Sequence, residues 1–174
     1  GWVKVRRHSG DDKVVTLAIL GKGDFFGEMA ILDESPRSTD VIALSSVNLL
    51  SISAQQFIQT LFSDTRLHHR MLQLMVRRLR YTNVRFQIRR QPPAIKLAYT
   101  LVTLAQQYAM PSEVGPKILN IPPTDLADVT DISVEDTQKI MEKLQDKGWI
   151  EIDSEHQTLC LCNERQLTQL SRQR

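Results

Sequence analysis

The chain of 174 residues is long enough for one domain or two small ones, and its 41% of hydrophobic residues can build real cores. No apolar run approaches the roughly 18–20 residues that a membrane-spanning helix needs, and 24% of the residues are charged, which argues against a membrane protein. Two cysteines cannot by themselves fill a tetrahedral zinc site, and a reducing cytoplasm is the expected location.

The formal net charge of +2 hides an uneven distribution along the chain. Residues 1–64 have six basic and eight acidic side chains, and residues 65–112 have nine basic side chains and no acid. Residues 113–174 have seven basic and twelve acidic side chains. The middle of the chain is therefore strongly basic and its last third is acidic, which bears on where an anionic partner could bind.

The first section of the chain alternates in the manner of short β-strands separated by turn signals. Gly10 with Asp11 and Asp12 predicts a hairpin turn, and Gly21 and Gly23 frame another. Several short strands at this spacing predict a β-sandwich or jelly roll. The chain begins within strand-like alternation, so we expect it to be part of a longer protein.

The segment FFGEMAILDESPRST, residues 25–39, places one acid and one base, Glu28 and Arg37, among apolar residues. Gly27 precedes the acid and Pro36 precedes the base, and a surface salt bridge would need neither. A solvated loop with a casual Glu–Arg pair is one interpretation. The other is that the two charges bind something other than each other.

The apolar period becomes helical after Ser53, which can cap a first helix. Ser63 or Asp64 can cap a long helix that runs to about Gln91, where two prolines stop it. Residues at the 3-4 spacing of a coiled-coil seam follow this helix, namely Leu72, Met75, Leu79, Thr82 and Phe86. A helix so long and so basic predicts pairing with a second copy of the chain, and packing on its own sheet is the alternative.

After Pro92–Pro93, residues 94–109 predict an amphipathic helix. A loop and a short strand lead to a short helix over about 124–130 and then to a second helix, which starts at Ser133 and ends before Gly148. The following stretch, GWIEIDSEHQTLCLCN, predicts two strands joined by a turn. Two short helices followed by such a hairpin indicate a winged helix-turn-helix.

These parts, in this order, resemble the cAMP receptor protein/FNR superfamily of bacterial transcription regulators. The resemblance implies an α+β fold in three parts: a β jelly-roll (double-stranded β-helix) sensor domain at residues 1–62, a long dimerisation helix at 63–91 and a winged helix-turn-helix domain at 92–174. It also implies that the first strands and a leading helix of the sensor domain are absent. The most specific motif lies in residues 25–39, which resemble a phosphate-binding cassette with the pattern F-G-E-x-A-(x)₆-R-[ST]. Its Glu-to-Arg spacing is similar to that of eukaryotic cyclic-nucleotide sensors.

The resemblance implies a ligand site built from Gly27, Glu28, Met29, Arg37 and Ser38. Glu28 would accept a hydrogen bond from the ribose 2′-hydroxyl, and Arg37 and Ser38 would contact the cyclic phosphate. The chemistry agrees, because a guanidinium can bind two exocyclic phosphate oxygens as a fork and a glycine allows close approach of the backbone. The expected ligand is a cyclic nucleotide, cAMP in preference to cGMP, without a metal.

Within the long helix, VRRLRYTN aligns with the family segment that contacts the nucleobase. Thr82 would meet the adenine, and Asn83, where the enterobacterial protein commonly has serine, would reach the ligand of the partner subunit. A polar residue in an apolar seam could also act only by fixing the register of two helices. Asparagine at 83 could change the base preference.

The core of the helix-turn-helix fits the family better than its surface does. The residues spaced to pack its two helices together are Leu126, Val129, Ile132, Ile140 and Leu144. The candidate DNA-contacting residues are Ser133, Val134, Glu135, Gln138 and Lys139. Val134 stands where the family often has arginine, and Asp131 replaces the glycine usual in the turn.

Acidic residues dominate this lobe, because residues 119–150 contain seven acids and three lysines. Such a unit gains little from counterion release, the main source of DNA affinity. We therefore expect DNA binding at an unusual site, and the alternative is a lobe that docks on a protein.

The predicted function is that of a homodimeric, cyclic-nucleotide-responsive regulator that binds double-stranded DNA, with RNA polymerase as a further partner and no membrane. The histidines at positions 8, 68, 69 and 156 are scattered, and no catalytic grouping is recognisable, so an enzyme is not expected. His68 and His69 are interpreted as solvated helix residues, and haem or metal binding is the weaker alternative. Cys160 and Cys162 share one face of a strand and are interpreted as small core residues, with a redox or cluster role as the alternative.

Overall fold

The computed structural model describes residues 1–9 and 13–172. Strands β1 (Val3–Ser9) and β2 (Lys13–Leu20) pair antiparallel, and β3 (Asp40–Ala43) pairs with the other edge of β1. The resulting three-stranded sheet has the order β2-β1-β3. The hairpin turn predicted at Gly10, Asp11 and Asp12 lies outside the described residues.

The strand-like alternation of the first section continues through STDVIALSSVNLLSI to about residue 52, but the prediction of a strand there is wrong beyond β3. Residues 47–52 lie in no strand, and Leu49, Leu50 and Ile52 are exposed. A strand exists only where its backbone groups find a neighbouring strand, and alternation along the sequence does not show whether that neighbour is present. The three described strands therefore form one sheet, of which Ile19 and its neighbours pack against the second half of the chain.

The two helices expected from the periodicity after Ser53 are α2 (Ala54–Ser63) and α3 (Thr65–Gln87), and a short helix that the periodicity did not predict, α1 (Glu28–Leu32), lies between β2 and β3. Ser53 caps α2 in a capping box with Gln56, and the Asp64 carboxylate accepts hydrogen bonds from the first amides of α3. A turn of 3₁₀ helix, Ile88–Arg90, ends the long helix before the proline pair. Pro93 occupies the first position of the next helix, where its missing N–H costs nothing.

The second half of the chain, from Pro93 onward, is a winged helix-turn-helix. Its helices are α4 (Pro93–Tyr108), α5 (Pro123–Thr130), α6 (Val134–Asp146) and α7 (Glu164–Ser171). Its strands β4 (Lys117–Leu119), β5 (Glu151–Asp153) and β6 (Thr158–Cys160) form a sheet of order β4-β6-β5. The wing predicted from the sequence is the antiparallel pair β5–β6.

Helix α7 was not predicted from the sequence. The Asn163 side chain caps it by accepting a hydrogen bond from the Gln166 amide at 3.2 Å. Leu167 is fully buried and Leu170 packs against the same core. An asparagine cap followed by two leucines three positions apart is the signal that could have predicted this helix.

Two apolar cores hold the structure together. The larger one joins the first sheet to the winged helix, because Ile19 is buried with Leu97 and Leu101 of α4, and Trp2 packs at its edge. The smaller core contains Phe57, Leu61 and Met71, with further apolar residues packed around it, namely Phe25, Ile31, Ile58, Leu67 and Met75. The predicted cassette thus lies over a core formed by α2 and α3. Among the described helices, none has the length and apolar character needed to span a bilayer.

Candidate functional site

The cassette begins at Gly27, the residue before α1, which has a left-handed backbone with φ of 87°. Arg37 Nη1 donates to the Gly27 carbonyl oxygen at 3.4 Å. A Cβ atom at position 27 would lie only 2.5 Å from that nitrogen. Glycine is therefore required twice, once for the backbone conformation and once for the approach of the guanidinium.

Glu28 is buried, with 4% of its surface exposed, and its partner is Arg78 of α3. Arg78 Nη1 donates to Glu28 Oε1, while Oε2 makes no hydrogen bond within the described residues. Burying a carboxylate is costly unless a cation neutralises it, which Arg78 does. The prediction that Glu28 and Arg37 are not each other's partner agrees with this geometry, but Arg78 was missed.

Arg78 connects three groups of the cassette region at once. Its Nη2 donates to the Phe25 carbonyl oxygen and to Asp24 Oδ1, the latter at 3.2 Å. Its guanidinium carbon lies 5.1 Å from the centre of the Phe25 ring, within the range of a cation–π interaction. A planar guanidinium with five donors suits this task, and lysine could not reproduce the geometry.

The other cassette residues face solvent. Met29 is 71% exposed, and Arg37 and Ser38 are also exposed. Within the described residues Arg37 forms no ion pair with an acid. The cassette therefore presents one guanidinium to solvent beside one buried carboxylate.

Thr82 lies one helical turn beyond Arg78 and donates a hydrogen bond to the Arg78 carbonyl oxygen at 3.0 Å. Positions four apart share one side of a helix, so Thr82 lies on the side of α3 that also holds the Arg78–Glu28 pair. Asn83 is exposed on the neighbouring side. The structure thus places the two predicted base-contacting residues on adjacent sides of the long helix.

The predicted seam of α3 needs two corrections, because Val76 and Asn83 take the places predicted for Met75 and Thr82. Met75 is partly buried against the core under the cassette, because its position on the helix faces α2. Val76 takes its place in an exposed apolar stripe of Leu72, Val76, Leu79 and Phe86, which are 54%, 54%, 61% and 76% exposed. Asn83 completes the alternating spacing of four and three residues that is typical of a coiled-coil seam.

The helix-turn-helix has the predicted core. Leu126, Val129 and Leu144 are buried, and Ile132 and Ile140 pack against them. Asp131 has the left-handed conformation with φ of 55°, in the turn where glycine was expected.

The candidate DNA-contacting residues lie at the start of α6. Ser133 Oγ caps the helix by accepting a hydrogen bond from the Asp136 amide at 3.0 Å. The others, Val134, Glu135, Gln138 and Lys139, are exposed together on the same helix. The structure therefore brings all five to one surface.

Several acids of the helix-turn-helix bind the rest of the chain. Asp125, 4% exposed, pairs with Lys4 of β1 at 2.5 Å. The Thr16 hydroxyl lies 3.4 Å from Asp125 Oδ1 and 3.3 Å from Asp128 Oδ2. Asp131 lies 3.9 Å from Arg89 at the end of the long helix. Part of the acidic excess of this lobe is therefore explained by contacts between domains.

The cysteines and histidines give no support to a redox or metal site. Burial raises the pKa of the Cys160 thiol to about 11, with a further contribution from Cys162, so the thiol stays protonated and unreactive at neutral pH. His68 and His69 are exposed. Over residues 1–9 and 13–172, no group of three or more His, Cys, Asp or Glu side chains could hold a metal ion.

Two known protein-domain families match the chain, one in each half. Residues 1–64 match the cyclic nucleotide-binding domain, and residues 95–170 match the Crp-like helix-turn-helix domain. The fold and these domains define a class in which a cyclic-nucleotide-binding domain is joined by a long helix to a helix-turn-helix. These two domains, in this order, are those of the cAMP receptor protein/FNR family of transcription regulators.

The relatives differ from the chain in length. The cyclic AMP receptor protein of Thermus thermophilus is 28% identical over 138 residues, 79% of this chain and 61% of the relative. The CRP-like cAMP-activated global transcriptional regulator of Mycobacterium tuberculosis is 25% identical over 156 residues, 88% of this chain and 69% of the relative. A crystal structure of a CRP-family transcriptional regulator, also from Thermus thermophilus, has the same fold, with a TM-score of 0.73, 20% identity and coverage of 98% of this chain and 84% of that one.

Proposed function

We propose that the chain belongs to a dimeric transcription regulator that binds cAMP and double-stranded DNA. The observation that carries the proposal is that one cassette has a buried carboxylate, Glu28, near one end and an exposed guanidinium without an acidic partner among the described residues, Arg37, near the other. A cyclic nucleotide offers a hydroxyl donor on its ribose and a single negative charge on its phosphate. The two side chains are complementary to these two groups.

Each cassette residue has a separate role in this proposal. Glu28 accepts from the ribose 2′-hydroxyl through Oε2, because Arg78 already contacts Oε1. Arg37 and Ser38 bind the cyclic phosphate, and amides at the start of α1 add donors after the left-handed Gly27. Met29 covers the ligand from the first turn of α1.

Thr82 and Asn83 supply the contacts to the base. Thr82 presents a hydroxyl to the adenine of the same chain's ligand, and Asn83 reaches the ligand of the second chain. Two curated relatives named for cAMP support cAMP as the ligand in preference to cGMP.

Dimerisation through α3 follows from its exposed apolar stripe of Leu72, Val76, Leu79 and Phe86. A single helix that leaves four large apolar side chains in water gains stability by covering them with a second copy. Asn83 in the same stripe then fixes the register of the two helices.

DNA binding is assigned to the surface of Ser133, Val134, Glu135, Gln138 and Lys139. Gln138 and Lys139 are the side chains able to contact base edges and phosphates in a major groove. RNA polymerase is the protein partner and the cytoplasm the location that follow from this role. Without arginine at position 134, the preferred DNA site should differ from the enterobacterial one.

The test is calorimetry of the chain with cAMP, cGMP and a nucleoside monophosphate that lacks the ring. Arg37→Ala should weaken cAMP binding by roughly tenfold or more, because it removes the charge-assisted bonds to the phosphate. Arg77→Ala is the matched control, since Arg77 is also exposed but lies on α3. Equal cAMP affinity for wild type and Arg37→Ala would refute the cassette assignment.

A selection from random DNA at several salt concentrations, with and without cAMP, tests the second half of the proposal. An enriched sequence whose binding weakens as salt rises supports DNA recognition by α6. Lys139→Ala should weaken that binding. No enriched sequence in any condition would favour docking of this lobe on a protein.

A further inference from the structure

Tyr108, the last residue of α4, extends from the winged-helix domain to the cassette region. Its hydroxyl donates a hydrogen bond to Asp24 Oδ2, in the loop between β2 and α1. Its ring meets the Trp2 ring edge-on, with centroids 5.3 Å apart and an interplanar angle of 77°. The helix that begins the DNA-binding domain is therefore bonded directly to the sensor domain.

Asp24 continues the connection toward the ligand site. Its side chain is 11% exposed. Asp24 Oδ2 accepts a hydrogen bond from the Tyr108 hydroxyl, and Oδ1 accepts one from Arg78 Nη2. The same Arg78 uses Nη1 to bind Glu28. A continuous polar relay thus runs Glu28–Arg78–Asp24–Tyr108, from the proposed ribose acceptor to the winged-helix domain.

The position of Tyr108 is fixed by close packing as well as by its hydroxyl. A Cβ atom at Gly21 would lie 2.6 Å from Tyr108 Cγ, so the ring rests directly on the glycine backbone. No side chain can be added at position 21 without moving the ring. Trp2 on the other side limits where the ring could go.

The Tyr108 hydroxyl remains a donor at any physiological pH. Burial and the neighbouring Asp24 carboxylate both raise the pKa of Tyr108 above its ordinary value of 10.0. The bond to Asp24 is therefore present whenever the two domains are docked.

We propose that Asp24 and Tyr108 are positioning residues of the nucleotide site, through which docking of the winged-helix domain and nucleotide affinity control each other. The inference rests on the proposed function of Glu28 as the ribose acceptor. One rigid guanidinium holds both carboxylates, so a movement of Glu28 on ligand binding rotates the group that also holds Asp24. Any such coupling is reciprocal, so displacement of Tyr108 must change the affinity for nucleotide.

This relay bypasses the covalent hinge. In the chain, Pro92 and Pro93 lie between α3 and α4. A ligand signal carried by the two helices alone would have to pass through this proline junction. The relay joins the far end of α4 to the middle of α3 across the loop at Asp24. Rotation about the hinge therefore breaks or makes the Tyr108–Asp24 bond.

The main experiment compares DNA affinity with and without cAMP for wild type, Tyr108→Phe and the control Tyr99→Phe. Tyr99 lies on the same helix, and removal of its hydroxyl does not change the hydrogen bonds of Asp24. We expect the ratio of the two DNA affinities to fall roughly three- to tenfold in Tyr108→Phe, the size of the net contribution of one typical hydrogen bond, and to stay unchanged in Tyr99→Phe.

Gly21→Ala tests the packing independently. The added methyl should reduce the same ratio by displacing the Tyr108 ring, and it should have no further effect in a Tyr108→Ala background. If Gly21→Ala reduces the ratio of DNA affinities by the same factor in the Tyr108→Ala background, the role given to the Tyr108 ring would be overturned.

A double-mutant cycle between Glu28→Gln and Tyr108→Phe needs no ligand. The two residues do not touch, so strictly additive shifts of the urea unfolding midpoint would overturn the relay, and non-additive shifts support it. If Arg37→Ala leaves cAMP binding intact, the proposed function is refuted, and the double-mutant cycle still tests whether Glu28 and Tyr108 are coupled. If Arg37→Ala abolishes binding and Tyr108→Phe keeps wild-type coupling, only the relay fails.

Discussion

Lys4 Nζ lies 2.5 Å from Asp125 Oδ1, so a lysine of the first strand pairs with an aspartate in the first helix of the helix-turn-helix. The two side chains are 20% and 6% exposed, and the Thr16 hydroxyl lies beside the same carboxylate. An ion pair this sheltered contributes more than a surface pair, because removal of one partner leaves the other charge poorly solvated.

Substitution of Lys4 by methionine should therefore destabilise the chain by about 2–3 kcal/mol, since Asp125 keeps only a weak hydrogen bond. Lys22→Met, at an exposed position, is the control and should change the free energy of unfolding by less than about 0.5 kcal/mol. Urea unfolding followed by circular dichroism measures both. Equal stability of the two variants would show that the Lys4–Asp125 pair contributes nothing.

Gly27→Ala and Gly23→Ala separate backbone strain from the space needed by Arg37. The two glycines have nearly the same φ, 87° and 86°, so alanine costs about 1–2 kcal/mol at each through the left-handed conformation. Only at position 27 does the new methyl collide with Arg37, because nothing lies within 4 Å of a Cβ at Gly23. We expect similar loss of stability but weaker cAMP binding in Gly27→Ala alone. Matching affinities in calorimetry would contradict this.

A charge in the apolar stripe of α3 should prevent dimerisation. Val76→Glu places a carboxylate opposite its copy in the second chain, whereas Gln73→Glu adds the same charge at an exposed position outside the stripe. Sedimentation velocity should show monomers for Val76→Glu and dimers for Gln73→Glu. A dimer in both variants would place the interface elsewhere.

All three tyrosines should titrate only above pH 10 in the folded chain. Burial is the largest cause that raises the pKa of Tyr81, Tyr99 and Tyr108 above the ordinary value of 10.0. Each contributes stability that is fully present below the unfolded value and is lost as pH rises toward the folded value, so alkali unfolds the chain.

Ultraviolet absorbance of tyrosinate in buffer and in urea measures this shift. The titration in buffer should lie above the titration in urea, and Tyr108→Phe should remove the latest part of it. A component that titrates near pH 10 in the folded chain would mean that one tyrosine is exposed to solvent.

Local signals predicted the local structure well. Ser53, Ser133 and Gly148 mark helix ends because capping depends only on residues within a turn of the terminus. The cassette motif was recognisable for a similar reason, since Gly27 and Arg37 are close in sequence and in space. Their proximity needs no knowledge of the remaining fold.

The partners of the buried charges could not be predicted in this way. Glu28 and Arg78 are 50 positions apart, and Lys4 and Asp125 are 121 apart. The seven arginines of the basic segment other than Arg78 look equally suitable in sequence, and only the packing of α3 on the cassette selects one of them. The error at Met75 has the same origin, because its seam position was inferred from spacing without knowing which side α2 covers.

The shared core of Ile19, Trp2 and the α4 leucines has a consequence for how this architecture can be rearranged. The boundary near residue 92 separates two segments of chain but not two folding units, because the first sheet supplies part of the wall that covers α4. In a chimaera that received the winged helix of another family member at this boundary, Trp2 and Ile19 would pack against an α4 with different side chains. Functional recombination would have to carry the β1–β2 hairpin together with the DNA-binding domain.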